Sequence, residues 1–324
     1  MRKPSVFVTR GIPEKGLRLV LESCEAEIWS EEIPPSRHDL LQGVRGKDGL
    51  LALLTDRIDA EVMDAAPHLR VISNCAVGMD NVDLAAATAR RIPVGNTPDV
   101  LTDATADFAF ALLLAAARRI VEGVEYVKSG RWKTWNLQVL LGADLAGRTL
   151  GIVGFGRIGR AVARRAQGFG LRVIYCDPAV AQDPAGTPTS LDTLLGEADF
   201  VSLHVPLTAE TCHMINDQSL GRMKSTAVLI NTSRGPVVDH DALYRALKAR
   251  RIFAAGLDVT EPEPLNLDSP LLHLNNCIVL PHLGSASQWT RDQMALLAAE
   301  NLIAGLDGRR LPHCVNPEVY DITR

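Results

Sequence analysis

Three polar side chains of different chemistry, Arg234, Glu263 and His282, stand in the local sequences NTSRG, EPEPL and PHLGSA. An imidazole trades a proton near neutral pH, a carboxylate can hold it in one tautomer, and a guanidinium grips another carboxylate through a forked pair of hydrogen bonds. Reducing a 2-oxo acid calls for this set: a proton for the carbonyl oxygen, a positive group for the carboxylate, and a nicotinamide held close to the carbonyl carbon. His282 is therefore the candidate acid in reduction and base in oxidation. Glu263 is the candidate partner of its other ring nitrogen, and Arg234 a substrate clamp that lysine could not copy. Taken singly, each has a duller reading: a surface charge after a strand, turn decoration between prolines, and a loop histidine bonded to a carbonyl. Together, and following a nucleotide fingerprint, they outline a hydride-transfer site.

The fingerprint lies upstream. Residues 149–153 form a β-branched run, Gly154-Phe155-Gly156-Arg157-Ile158-Gly159 supplies GxGxxG, an amphipathic stretch runs to about Phe169, and a second strand spans 172–177. Gly154 allows the tight turn, Gly156 the close approach of a pyrophosphate, and Gly159 tight helix packing, with the phosphates on the helix N-terminus. Asp177 closes the second strand, where a carboxylate accepts from ribose hydroxyls and repels a 2′-phosphate, so NAD(H) is preferred and NADP(H) stays possible. Methyltransferase folds also use GxGxxG, but that reading leaves Arg234, Glu263 and His282 without a task.

Along the chain, strand-like runs at 6–9, 26–29, 49–53, 71–74 and 92–94 alternate with helical patterns, the rhythm of a parallel α/β unit. One long helical pattern covers about 102–128, and further strands are expected at 200–205, 227–231, 254–259 and 277–280. A last helix, after Ser285 and running to about Leu306, is placed to return to the first domain. The expected fold is thus α/β with two Rossmann-like parallel-sheet domains. A nucleotide-binding domain is read as inserted into a smaller, discontinuous domain wrapped around it.

A formal net charge of −4, with no basic face or tail, argues against a nucleic-acid binder. The six cysteines lie apart without a CxxC pair, and the histidines show no HxH or HxxxH pairing, so no metal is expected and a reducing cytoplasm fits. The opening apolar run is short for a signal peptide, and the ten apolar residues at 108–117 are about half of what a bilayer needs, so neither export nor a membrane is expected. That helix reads as buried or as part of a dimer interface.

The segments AVGMDNVD, NTPDVLTDATAD, GRTLGIVGFGRIG, HVPLT, NTSRGPVVD, AAGLDVTEPEP and LPHLGSAS make the chain, over nearly its whole length, resemble the D-isomer-specific 2-hydroxyacid dehydrogenases, in particular their glyoxylate reductase/hydroxypyruvate reductase branch. The resemblance implies reduction of small 2-oxo acids such as glyoxylate and hydroxypyruvate to glycolate and D-glycerate. It implies substrate contacts from Leu53, Val77, Gly78 and Arg234. It also implies the domain bounds, an NAD-binding domain of residues 100–285 inserted into a flavodoxin-like substrate domain of residues 1–99 and 286–324, and a homodimer through the NAD domains in which Trp135, second tryptophan of WKTW, edges the partner's active site. Cofactor contacts are expected from the glycine loop with Arg157 and Ile158, from Asp177, His204, Pro206, Thr211, Thr232 and Ser233, and from Asp258 and Gly284. Asp258 would orient the nicotinamide carboxamide, its duller reading being a satisfied strand-end carboxylate. Rivals are a sibling D-2-hydroxyacid or phosphite dehydrogenase on the same scaffold, and an NAD-sensing corepressor-like binding module.

Overall fold

The structure, a computed structural model, describes residues 2–321. The chain divides into two units, Met1–Leu101 with Ser287–Arg324, and Thr102–Ala286.

The first unit holds a parallel sheet of β1 (Ser5–Val8), β2 (Glu25–Ile28), β3 (Gly49–Ala52), β4 (Val71–Asn74) and β5 (Val94–Gly95), in the order β2-β1-β3-β4-β5. That is the flavodoxin-like strand order. Every residue of β3 and β4 is buried, as parallel strands covered on both faces require. The helix Gln288–Leu306, capped by Ser287 accepting from the Thr290 N–H, packs on β3, β4 and the helix Glu14–Ser23.

The edge strand begins later than the expected 92–94. Pro93 has no N–H to give the ladder, and its carbonyl instead receives Ile72. Val94 then bonds outward to the C-terminal segment, its N–H to Asn316 Oδ1 at 2.8 Å and its carbonyl from the Val315 N–H at 2.9 Å.

The second unit holds seven parallel strands, β6 (Thr149–Val153), β7 (Arg172–Cys176), β8 (Thr187–Pro188), β9 (Phe200–Leu203), β10 (Val228–Asn231), β11 (Ala254–Leu257) and β12 (Cys277–Val279), ordered β12-β11-β10-β9-β6-β7-β8. Side-chain alternation divides the core between the two faces. Leu150, Ile152, Phe200, Val228 and Ile230 pack with the helix Thr102–Ala117, while Val153, Val201, Leu203 and Leu229 pack with Leu194, Leu220, Leu243 and Leu247.

The single long helix expected over 102–128 is corrected to two, Thr102–Ala117 and Ile120–Lys128. Arg119 between them adopts a left-handed φ of 54°, and the Ala117 carbonyl, which a continuing helix would use, accepts the Ala143 N–H at 2.9 Å. The first helix buries Ala109, Phe110, Leu112, Leu113, Ala116 and Ala117 inside its own unit. Among the described residues, no helix is long and apolar enough to cross a membrane.

Candidate active site

The glycine loop joins β6 to the helix Arg157–Gly168, with Gly156 at the N-cap. Gly154 has φ of +88°, and a Cβ there would also come within 2.5 Å of the His204 carbonyl; one on Gly159 would come within 2.2 Å of the Gly154 carbonyl. Gly156 has open space where its Cβ would be. A tight turn, a close-packed helix and an open face above the helix N-terminus are what a pyrophosphate needs.

Two further observations fit a dinucleotide. Thr232 Oγ1 is buried without a hydrogen-bond partner in the protein, so a bound polar group there would satisfy it. His204, whose ring Nε2 lies 2.8 Å from Ser202 Oγ, is pushed down to about 4 by burial and is neutral at physiological pH.

Asp177 follows β7, and its carboxylate already has work within the loop: Oδ2 accepts the Phe155 N–H at 2.6 Å and Oδ1 the Ala179 N–H at 2.8 Å. Each oxygen keeps a second acceptor site. Phe155 is fully buried and stacks on Tyr175 of β7, which anchors the loop from beneath. Pro206 and Thr211 share a turn in which Thr211 Oγ1 donates to the Pro206 carbonyl at 2.7 Å.

The three chemistry-bearing residues sit in loops after successive strands. His282, beyond β12, places Nδ1 2.6 Å from Glu263 Oε1. Glu263 lies in the EPEP turn after β11, where both X-Pro bonds are cis, Thr260 Oγ1 donates to the Pro262 carbonyl at 2.8 Å, and the Thr260 N–H donates weakly to Glu263 Oε2 at 3.4 Å. Arg234 lies in the turn after β10 and donates to the Ser233 carbonyl at 2.8 Å.

Gly235 brings these turns together. A Cβ there would overlap the Thr260 carbonyl, at 1.9 Å, so only glycine lets the arginine turn rest against the start of the EPEP turn. Glu263 and His282 are in direct contact, and the arginine turn abuts the backbone of Thr260 at the start of the turn that carries Glu263.

Asp258, at the end of β11 and 1% exposed, holds the histidine loop from below. Its carbonyl accepts the His282 N–H at 2.9 Å, and its two carboxylate oxygens accept the Leu283 and Gly284 N–H groups at 2.7 Å each. Burial raises its pKa, and those two bonds oppose the rise. The clamp holds the backbone around His282 in a left-handed conformation, φ 57°, that is uncommon outside glycine.

Asn231, part of NTSRG but with no role legible in the sequence, is fully buried and shapes the arginine turn. Its Oδ1 accepts the Ser233 N–H at 3.0 Å and hydroxyl at 2.7 Å, and its Nδ2 donates to the Arg234 carbonyl at 2.8 Å.

Leu53, Val77 and Gly78 belong to the first unit, in the segments that follow β3 and β4. Trp135 projects from the connection between Lys128 and β6 and is 76% exposed. Among the described residues, no cluster of three or more His, Cys, Asp or Glu could hold a metal ion.

Residues 110–284 match the family described as D-isomer specific 2-hydroxyacid dehydrogenase, NAD binding domain. The chain is 55% identical over 325 residues to a glyoxylate reductase of Korarchaeum cryptofilum, covering 99% of this chain and 98% of that one. Among solved structures, the TT0316 protein of Thermus thermophilus superposes with a TM-score of 0.92 at 51% identity, covering 96% of this chain and 99% of that one. An NADPH-dependent glyoxylate/hydroxypyruvate reductase of Sinorhizobium meliloti, in complex with NADP and malonate, gives 0.87 at 34% identity, covering 97% and 98%. The chain belongs to the D-isomer specific 2-hydroxyacid dehydrogenase family, and its second unit is the nicotinamide dinucleotide-binding domain of an oxidoreductase.

Proposed function

We propose that this protein reduces small 2-oxo acids, with glyoxylate and hydroxypyruvate foremost, to the corresponding 2-hydroxy acids. The observation that carries the reading is the 2.6 Å contact between His282 Nδ1 and Glu263 Oε1 beside the Arg234 turn. A reduced nicotinamide dinucleotide, its pyrophosphate held by the glycine loop, would supply the hydride. A carboxylate acceptor makes Nδ1 the protonated nitrogen, so proton exchange with the substrate oxygen falls to Nε2 of His282. Glu263 favours the imidazolium that forms when the hydroxy acid is oxidised. Arg234 binds the substrate carboxylate through two N–H groups. Leu53 limits the size of the acid, and the Val77 and Gly78 N–H groups receive its carboxylate.

Asp177 favours NADH. Its carboxylate would stand against a 2′-phosphate, although the Sinorhizobium relative is NADPH-dependent. The functional state is a homodimer through the second unit. The helix Ile120–Lys128 buries none of its residues within the chain and exposes Val121, Val124 and Val127, and Trp132, Trp135 and Leu137 in the following connection are also exposed, an apolar surface that a second copy would cover. Trp135 would then edge the partner's active site. The cytoplasm is the proposed location.

The test is oxidation of NADH and NADPH, each with glyoxylate, hydroxypyruvate and pyruvate, followed by nicotinamide absorbance across a range of pH. Reduction should weaken and glycolate oxidation strengthen as the pH is raised, because a protonated acid serves one direction and a free base the other. Tight NADH binding with no turnover of any acid would sink the enzyme reading in favour of a nucleotide-sensing binding module.

A further inference from the structure

In the first unit, β3 and β4 end side by side, with Ala52 opposite Asn74. The segments that follow them contain Leu53 and the Val77–Gly78 turn, more than twenty residues apart in sequence. A pair of asparagines joins the two. Asn74, fully buried at the end of β4, donates through Nδ2 to the Gly78 carbonyl at 3.1 Å and to Asn81 Oδ1 at 3.0 Å. Asn81 donates through Nδ2 to the Leu53 and Asp56 carbonyls, at 3.0 Å each, and its own carbonyl accepts the Ile58 N–H at 2.8 Å. Both amide orientations follow from the partners, since a carbonyl can only be met by the NH2 end.

The turn is pinned by its carbonyls. That of Ala76 accepts the Thr97 N–H at 2.9 Å, that of Val77 accepts Asn96 Nδ2 at 3.0 Å, and that of Gly78 is held by Asn74. In a planar trans peptide the carbonyl and the next residue's N–H point in opposite directions. Drawing the Ala76 and Val77 carbonyls towards these partners therefore turns the Val77 and Gly78 N–H groups away from them, as a pair of donors for one anion.

We infer that the Asn74–Asn81 pair is a bracket that holds the Leu53 segment and the Val77–Gly78 turn as one rigid piece, with Asn96 aiming the Gly78 N–H, and that these positioning residues set the affinity for a small 2-oxo acid. The inference deepens the proposed function and rests on it for the identity of the ligand. The asparagines do not touch the substrate. They act through the backbone they hold, so their loss falls on substrate binding and spares cofactor binding in the other unit.

Asn81→Asp tests this with little change of shape, because a carboxylate can still accept from Asn74 but cannot donate to the Leu53 and Asp56 carbonyls; Asn81→Leu, which removes the same donors without adding an anion, must raise the KM alike, and an effect confined to Asn81→Asp would be charge repulsion and would overturn the bracket. The glyoxylate KM should rise about tenfold in Asn81→Asp and about threefold in Asn96→Ala, with kcat changed less than about twofold, as expected when one or two positioning bonds are lost. The NADH dissociation constant should be unchanged. Backbone hydrogen exchange should accelerate in residues 53–56 and 77–79 together in Asn81→Asp, a readout that needs no activity. An unchanged KM in a folded Asn81→Asp protein, or faster exchange in one segment alone, would overturn the bracket. Should Asn81→Asp fail to fold, Asn96→Ala decides: its bond is near the surface, and an unchanged KM there removes the argument for aimed N–H donors. If the unaltered enzyme reduces no 2-oxo acid while both segments loosen together, the proposed function falls and the bracket stands.

Discussion

The two units carry their candidate site loops in the same place, after the ends of parallel strands, but the histidine loop of the second and the Val77–Gly78 turn of the first are held by different chemistry. In the second unit the loops are held largely by carboxylates: Asp258 takes the Leu283 and Gly284 N–H groups, Glu263 takes His282, and Asp177 takes the Phe155 N–H. In the first unit the Asp56 carboxylate accepts the Leu53 N–H at 2.7 Å, but the Val77–Gly78 turn is held by neutral amides, Asn96 and Asn74, acting on its carbonyls. The contrast has an electrostatic reason. A charged acceptor holds an N–H about twice as firmly as a neutral one, and in the proposed function the Glu263 carboxylate also faces the positive charge that proton transfer puts on the imidazole. Where backbone N–H groups must receive the carboxylate of an acid, a fixed anion nearby would oppose binding, and a neutral amide holds the turn without that penalty.

If charge in the second unit serves the chemistry, removing the proton carrier should have the largest consequence. His282→Asn is expected to lower the rate of glyoxylate reduction by about a thousandfold, the range of a lost general acid, with NADH binding intact. Rapid-mixing measurement of nicotinamide oxidation checks this, and a loss smaller than about tenfold would hand the proton to another group.

A smaller effect separates two uses of one carboxylate. Asp177→Ser should lower the NADH-over-NADPH preference by about tenfold and also weaken NADH itself, because a charge-assisted bond to the Phe155 N–H goes with the ribose contact. Equal weakening of both cofactors, measured by fluorescence titration, would mean that Asp177 serves the loop and that ribose recognition lies elsewhere.

The smallest effect concerns stability of the second unit alone. His204 has a folded pKa of about 4 against 6.5 for an exposed imidazole, so on acidification the unfolded chain binds the proton first. Its contribution is complete above pH 6.5 and is lost as the pH falls towards 4. Roughly 1–2 kcal/mol should disappear by about pH 5, because each tenfold difference in proton affinity between folded and unfolded chains is worth about 1.4 kcal/mol. Denaturant titrations near neutrality and near pH 5 would show it, and His204→Asn should remove that part of the pH dependence. An equal slope in the variant would place the acid sensitivity elsewhere.

Much of the site was legible because its signals are local. A β-branched run, three glycines at fixed spacing and an acid after the next strand are all set by near neighbours in the chain, and the structure builds β6, the loop, the helix and β7 from them. The two short helices Leu191–Glu197 and Asp217–Arg222 and the two-residue β8 left no such signal, since their lengths give too few positions for a period to show. The break at Arg119 was hidden for another reason: the apolar pattern runs on, and the stop is a bond from Ala143, far along the chain.

The sequence by itself determined the kinds of groups present, the order in which Arg234, Glu263 and His282 occur, and the nucleotide fingerprint, because residue type, spacing and turn chemistry are written in adjacent positions. Tertiary structure alone decided that Glu263 Oε1 lies 2.6 Å from His282, that Gly235 must lack a side chain against Thr260, and that Asn81 ties the segment after β4 to the Leu53 and Asp56 carbonyls after β3. An amide of this kind takes its meaning from the carbonyls and N–H groups packed around it, and those come from segments that only the folded chain brings together.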